Sequence, residues 1–152
     1  MELDELDKRI LQQLQEDASL TNHELAARVH ASPPTCLRRV KRLSDGVIIV
    51  RQVALLNPEA LGAGLTAIVE ITLDQQASER MVEFEQLMAA ETAVLQCYRV
   101  SPGPDFILLL QVADMAAYHA LAHRLFAAQS NIRNVRSFFS IRRSKFETRI
   151  PL

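Results

Sequence analysis

The densest chemistry in the sequence is a run of cations at helical spacing: Arg38, Arg39, Lys41 and Arg42. At about 100° per residue, Cys36, Leu37, Val40 and Leu43 fall on one arc. Thr35, Arg38 and Arg42 fall opposite, with Pro34 and Lys41 flanking them and Arg39 nearer the boundary. A helix with an apolar back, a basic front and short polar residues at its start suits the major groove of DNA. Short residues let the helix end approach the base edges, while arginines reach guanine or the phosphates. Residues 28 to 51 carry Arg28, Arg38, Arg39, Lys41, Arg42 and Arg51 against Asp45, within a chain of net charge −1. That asymmetry predicts a nucleic-acid footprint on one region rather than a generally basic protein. The expected contacts to double-stranded DNA are Ser32, Thr35, Arg38, Arg39, Lys41 and Arg42. Thr35 and Arg38 are assigned to bases, and Arg39, Lys41 and Arg42 to phosphates. On that assignment Arg42→Ala flattens the salt dependence of binding by about one unit.

Other reactive side chains do not assemble into a site. His119 and His123 are spaced i, i+4, which can hold a metal, yet no Cys, Asp or Glu shares that face, so they read as surface histidines. Cys36 lies on the apolar arc of its helix, and Cys97 has no nearby base to activate it. Two separated cysteines in a chain without a signal peptide are expected to be reduced thiols. Glu83 and Glu85 point to different sides of one helix and form no carboxylate pair. No phosphate-binding glycine loop or nucleophile elbow is present. Neither catalytic residues nor a metal or cofactor is expected.

The elements that must position these residues are legible in outline. Asp4 caps a first helix whose Leu6, Ile10, Leu11 and Leu14 form a stripe. Thr21-Asn22-His23-Glu24 has capping-box spacing and opens a second helix burying Leu25, Ala26 and Val29. Ser32-Pro33 starts a third, running to about Leu43, and Gly46 ends it. The β-branched run Val47 to Val53 reads as a strand or short wing, and Asn57-Pro58 through Gly62 as a linker. Strand, helix, strand, strand, helix, strand then follow: Leu65–Leu73, Ser78–Glu91, Val94–Val100, Asp105–Val112, Asp114 to about Gln129, and Val135–Arg142. This βαββαβ order is that of ferredoxin-like domains. Its open sheet leaves a face to cover, for which Phe138, Phe139, Ile107 and Leu109 supply apolar surface, and oligomerisation is the economical cover.

The expected fold class is thus α+β: a winged helix-turn-helix over residues 1–53, a linker over 54–64, and a ferredoxin-like domain over 65–152. With 49% hydrophobic and 23% charged residues in 152, the composition is globular. No apolar run approaches the roughly 20 residues that span a bilayer. A cytoplasmic, nucleoid-associated location without membrane contact is expected.

These residues resemble the Lrp/AsnC family of feast/famine regulators. The resemblance runs through Leu6-Asp7-Lys8-Arg9-Ile10-Leu11, Glu24-Leu25-Ala26, Val29, Ser32-Pro33, Arg39-Val40-Lys41-Arg42-Leu43 and Gly46-Val47-Ile48. It continues in Ala54-Leu55-Leu56-Asn57-Pro58, Val69-Glu70-Ile71 and Asp105-Phe106, and covers nearly the whole chain. It implies an N-terminal winged-type helix-turn-helix, a ligand-binding βαββαβ domain, homodimers assembling into octamers, and amino acids as effectors of promoter binding. The sequence departs from the family pattern twice. His30 stands where the helix-turn-helix turn usually has glycine, and histidine tolerates positive φ better than most residues. Pro102-Gly103-Pro104-Asp105 replaces the usual glycine, polar and aromatic residues before the aspartate.

The resemblance places that turn near the contact between dimers, where small amino acids bind. A free amino acid needs donors for its carboxylate and an acceptor for its ammonium. Pro102 and Pro104 lack N–H groups, so Ser101, Gly103 and Asp105 must supply backbone donors, with Gly103 permitting close approach. The Asp105 carboxylate is the expected ammonium partner, and Tyr98, Val100 and Ser130 are expected to line the site. Few polar side chains surround the turn, which points to a small apolar amino acid, leucine or methionine. Two other functions stand beside this one. An architectural DNA-binding protein would ignore amino acids. Tetrapyrrole decarboxylases resemble the family, but the cations of the third helix argue against that enzyme.

Overall fold

The computed structural model describes residues 2–152, which divide into two compact units. One contains residues up to 55 together with Lys145–Leu152, and the other spans Leu56–Ser144. The segment 145–152 therefore packs with the N-terminal unit rather than with the sheet domain, where its position in sequence had placed it.

The first unit is built on three helices, α1 (Glu5–Glu16), α2 (Asn22–Arg28) and α3 (Pro33–Asp45). Each begins where a side-chain cap satisfies the orphan amides of its first turn. Asp4 and Asp7 form a reciprocal box on α1, Thr21 and Glu24 another on α2, and Ser32 caps α3, which has proline in its first turn. Ile10, Leu11, Leu25, Ala26, Val29, Cys36 and Leu43 are buried together as its core. The α2–α3 turn puts His30 at φ 55°, the left-handed conformation expected there. Leu37 is 60% exposed, so the apolar arc of α3 is narrower than the helical wheel predicts.

After α3 the expected strand or wing is replaced by turns and extended chain, with no strand over 46–64. Gly46 keeps φ −82°, and Val47 takes the left-handed conformation at φ 58°. This closes α3 through Ile48 N–H to Leu43 O at 2.9 Å. Of the β-branched run, Ile49 packs against the helical core, while Val47, Val50 and Val53 stay exposed. The linker ends in a single 3₁₀ turn, Glu59–Leu61, with Gly62 at φ 72°.

The second unit is a four-stranded antiparallel sheet in the order β2-β3-β1-β4, from β1 (Leu65–Leu73), β2 (Val94–Arg99), β3 (Phe106–Val112) and β4 (Ile132–Phe139). Helices α4 (Ser78–Ala90) and α5 (Met115–Ala122) complete the expected βαββαβ order, and α5 ends in a wider π-type turn, His123–Ala127. Alternation sends Ala67, Val69, Ile71, Leu73, Phe106, Leu108, Leu110 and Val112 into a core with Phe84, Met88, Tyr118, Leu121, Leu125 and Phe126. β4 lies three residues earlier than expected because its partner limits it. Ala67 pairs with Phe139, and the last bond is Ser140 N–H to Thr66 O at 2.9 Å. On this register Arg142 lies past the first residue of β1, Leu65.

The register decides which side chains reach the open face. Ile68 stands between Leu109 and Phe138, and Tyr98 beside Ile107. Phe139 was expected there, but one residue of alternation turns it to the helix side. Its ring meets Tyr118 edge-on at 4.9 Å.

Candidate nucleic-acid interface and effector turn

The basic face of α3 is not uniform. Arg38 and Lys41 are exposed, and no ion pair engages either among the described residues. Arg39 and Arg42 turn instead toward α1. Arg39 Nη1 lies 2.6 Å from Asp4 Oδ2 and 3.2 Å from Asp7 Oδ1, and Arg42 Nη2 donates to Asp7 Oδ2. Asp7 has no solvent exposure, and a buried carboxylate persists only where cations and N–H donors surround it. Its own cap partner Asp4 is held below the usual carboxylate range, first by the Asp7 N–H and then by the Arg39 guanidinium, which is in turn pushed up. Arg39, 23% exposed, is therefore a framework residue, which corrects its assignment to phosphate. Arg42 keeps part of its guanidinium at the surface.

At the start of α3, Ser32 Oγ donates to Thr35 Oγ1 at 2.8 Å. The Asn22 amide donates to Pro33 O at 2.9 Å and ties α2 to the recognition helix. The sequence did not signal Asn22, Asp4 or Asp7 as part of this face. The two aspartates lie more than thirty positions from the arginines they bind, and only the helix crossing brings them together.

In the second unit the residues expected to hold an effector lie on the β2–β3 turn, on β2 and before β4. Val100 N–H donates to Asp105 O at 3.0 Å across the turn, and Asp105 N–H to Ile71 O at 2.9 Å. Gly103 sits at φ 116°. Ser101, Pro102 and Gly103 are exposed and Pro104 is half-buried, and no hydrogen bond among the described residues engages the Ser101 or Gly103 N–H. Ser130 precedes Asn131, whose carbonyl accepts from Asp74 N–H at 2.8 Å beside the end of β1. Tyr98 lies on the open sheet face, donating to Gln96 Oε1 at 3.0 Å.

Asp105 departs from its expected role as the ammonium acceptor. It is 7% exposed, and its Oδ2 accepts from Leu73 N–H at 2.7 Å and Gln76 Nε2 at 3.3 Å. The carboxylate fastens the end of β1 to the start of β3 and so fixes the turn. Leu73, Gln76 and Asn131 were missed from sequence. The polar run Asp74-Gln75-Gln76 at the end of a strand is the signal that marks them. A cavity between the end of β1, α4 and residues 129–132, lined by Leu73, Arg80, Glu83, Phe84, Leu87, Gln129, Asn131 and Ile132 and by none of the expected effector residues, holds about 60 Å³. That is well short of the roughly 300 Å³ at which ligand pockets begin.

A capped three-helix unit presenting a basic helix, joined to a ferredoxin-like domain, defines a two-domain DNA-binding regulator. Residues 3–44 match the AsnC-type helix-turn-helix domain, and residues 66–150 match the Lrp/AsnC ligand binding domain. The chain is 35% identical over 150 residues to the DNA-binding transcriptional activator DecR of Escherichia coli, covering 99% of both chains. It is 34% identical over 151 residues to the leucine-responsive regulatory protein of that organism, covering 99% of this chain and 92% of the other. Among solved structures, a transcriptional regulator of Neisseria meningitidis complexed with L-methionine superposes with a TM-score of 0.93 at 33% identity, covering 99% of this chain and 97% of that one. The chain belongs to the Lrp/AsnC family of transcription regulators, and it is a regulator rather than an enzyme.

Proposed function

We propose that the protein binds promoter DNA through α3 and adjusts that binding in response to a small apolar amino acid, leucine or methionine. The observation that carries the reading is the exposed, unpaired pair Arg38 and Lys41 on a helix fixed at its start by Ser32 and Asn22. Thr35 and Arg38 face base edges, and Lys41 faces phosphates.

The effector turn supplies half a site. The N–H groups of Ser101 and Gly103 receive the ligand carboxylate, with Tyr98, Val100, Pro102, Pro104 and Ser130 around it, and Asp105 holds the turn in shape. Because Ser101, Pro102 and Gly103 stand exposed at the surface, a second copy completes the pocket, in keeping with a site at the contact between dimers of a homo-octamer. Within the dimer the open sheet face of Ile68, Ile107, Leu109 and Phe138 is the covered one. No helix among the described residues is long and apolar enough to cross a membrane, and the protein acts in the cytoplasm on the nucleoid. Support for the ligand class comes from the L-methionine in the Neisseria complex and the leucine response of the Escherichia relative.

The test is thermal unfolding against each of the twenty amino acids, followed by DNA binding with and without those that shift the curve. A ligand at about 100 times its dissociation constant stabilises by roughly 2.7 kcal/mol, enough to read. A selective shift with leucine or methionine supports the reading. Equal shifts with charged amino acids overturn the ligand class, and no shift with any of them leaves a DNA-binding protein of architectural type.

A further inference from the structure

The cations of α3 form two stripes. Arg38 and Lys41 are one i, i+3 pair, and Arg39 and Arg42 are another, turned by about 100°. The first stripe is exposed and unpaired. The second meets Asp4 and Asp7, so that two carboxylates face two guanidinium groups. We propose that Asp7, assisted by Asp4, is a positioning residue for DNA recognition that neutralises Arg39 and Arg42 and leaves Arg38 and Lys41 as the charges DNA meets. The proposal rests on the assignment of α3 to DNA and adds which of its cations count.

The geometry supports this in three ways. Asp7 has no exposure, so its charge is directed wholly into the protein. It also belongs to the cap of α1: Asp4 N–H donates to Asp7 Oδ2 at 3.2 Å and Asp7 N–H to Asp4 Oδ1 at 2.9 Å. One carboxylate thereby sets the start of α1 and the azimuth of α3 together. Finally, a buried ion pair adds little net stability over an apolar replacement, so its effect is on orientation. An arginine released from Asp7 would swing to phosphate, where binding is blind to sequence. Asp7 thus suppresses indiscriminate binding while aiming the helix.

The test measures the dependence of log binding constant on log salt for two duplexes, one of random sequence and one selected from a random pool by the wild-type protein. Asp7→Asn keeps the shape and removes the charge. Asp4→Asn does the same at an exposed position where asparagine still caps a helix, so it decides the matter should Asp7→Asn not fold. Each variant is expected to steepen the random-duplex slope by about 0.9, the value of one added phosphate contact, and to reduce the preference for the selected duplex. Lys41→Ala should flatten the slope by about 0.9 and Arg38→Ala should reduce the preference for the selected duplex, whereas Arg39→Ala and Arg42→Ala leave the slope unchanged. A purely structural role for Asp7 would weaken binding without steepening the slope. Folded Asp4→Asn and Asp7→Asn proteins with the wild-type slope overturn the proposal, as does an Arg42→Ala slope as flat as that of Lys41→Ala. Wild-type protein that binds neither duplex overturns the assignment of α3 itself, and the proposal with it.

Discussion

Val47 holds a conformation that its side chain opposes. At φ 58° its two γ-methyl groups crowd the backbone, while 69% exposure returns almost no packing. A non-glycine residue in this region costs of order 1–3 kcal/mol. Val47→Gly is expected to raise stability by about 1 kcal/mol net of the glycine's added unfolded-state entropy, readable in a denaturant midpoint shift at constant slope. The glycine one position earlier drew attention as the helix stop, and no local rule moves the left-handed residue from Gly46 to Val47. His30 was legible because its neighbours fix the turn length. A second residue-scale effect concerns acid. Arg124 first, then the Ala93 N–H, holds the Glu91 carboxyl below its ordinary value of 4.5. The folded state therefore binds this proton less readily than the unfolded chain. The stabilisation is complete above 4.5 and is lost as pH falls through the lower folded value. Glu91→Gln should remove that component, so that the variant loses less stability than wild type on acidification from pH 5, measured by urea unfolding at each pH.

At the scale of elements, helix starts were readable because caps are local: Asp4, Thr21, Ser32 and Asp114 lie within three residues of the amides they serve. Strand ends were not, because β4 is bounded by its pairing with β1, from Leu73–Ile132 to Ala67–Phe139, rather than by where its own composition changes. The docked segment 145–152 was also hidden. Its main chain is gripped by one side chain, Gln15, which donates to Ile150 O at 3.0 Å and accepts from Ile150 N–H at 2.6 Å. Arg149 lies 3.5 Å from Glu16, at the end of a helix whose last turn contains no cation. This charge complements the negative end of the α1 dipole. A groove of about 310 Å³ lies between this segment, α1 and residues 48–53. Gln15→Ala should release the segment, seen as hydrogen exchange over 145–152 rising to the rate of unstructured chain, with a stability loss of about 1 kcal/mol.

For the whole molecule, the fold class and family were legible because periodicity and strand–helix order repeat over most of the chain. The pairing of Arg39 and Arg42 was not legible, since composition counts both as free charges and cannot see Asp7 beneath them. Of the residues expected to hold the effector, Asp105 is spent inside its own chain, which no local pattern signals. In the proposed homodimer the open sheet face is covered, so Ile68→Asp should yield monomers in sedimentation while leaving the buried face of β1 intact. Wild-type association by Ile68→Asp protein would remove that face from the interface.

The N-terminal unit is sewn from two stretches of sequence with the sheet domain inserted between them. Cutting the chain once between residues 56 and 64 would therefore not free a self-sufficient DNA-binding fragment. The amino-terminal piece would still grip residues 145–152 of the other piece, and the nicked halves would copurify until denaturant pulled them apart. A recombinant fragment stopping at residue 55 would instead lack its last strap, with Leu11, Leu14 and Ile49 less well covered than in the full chain.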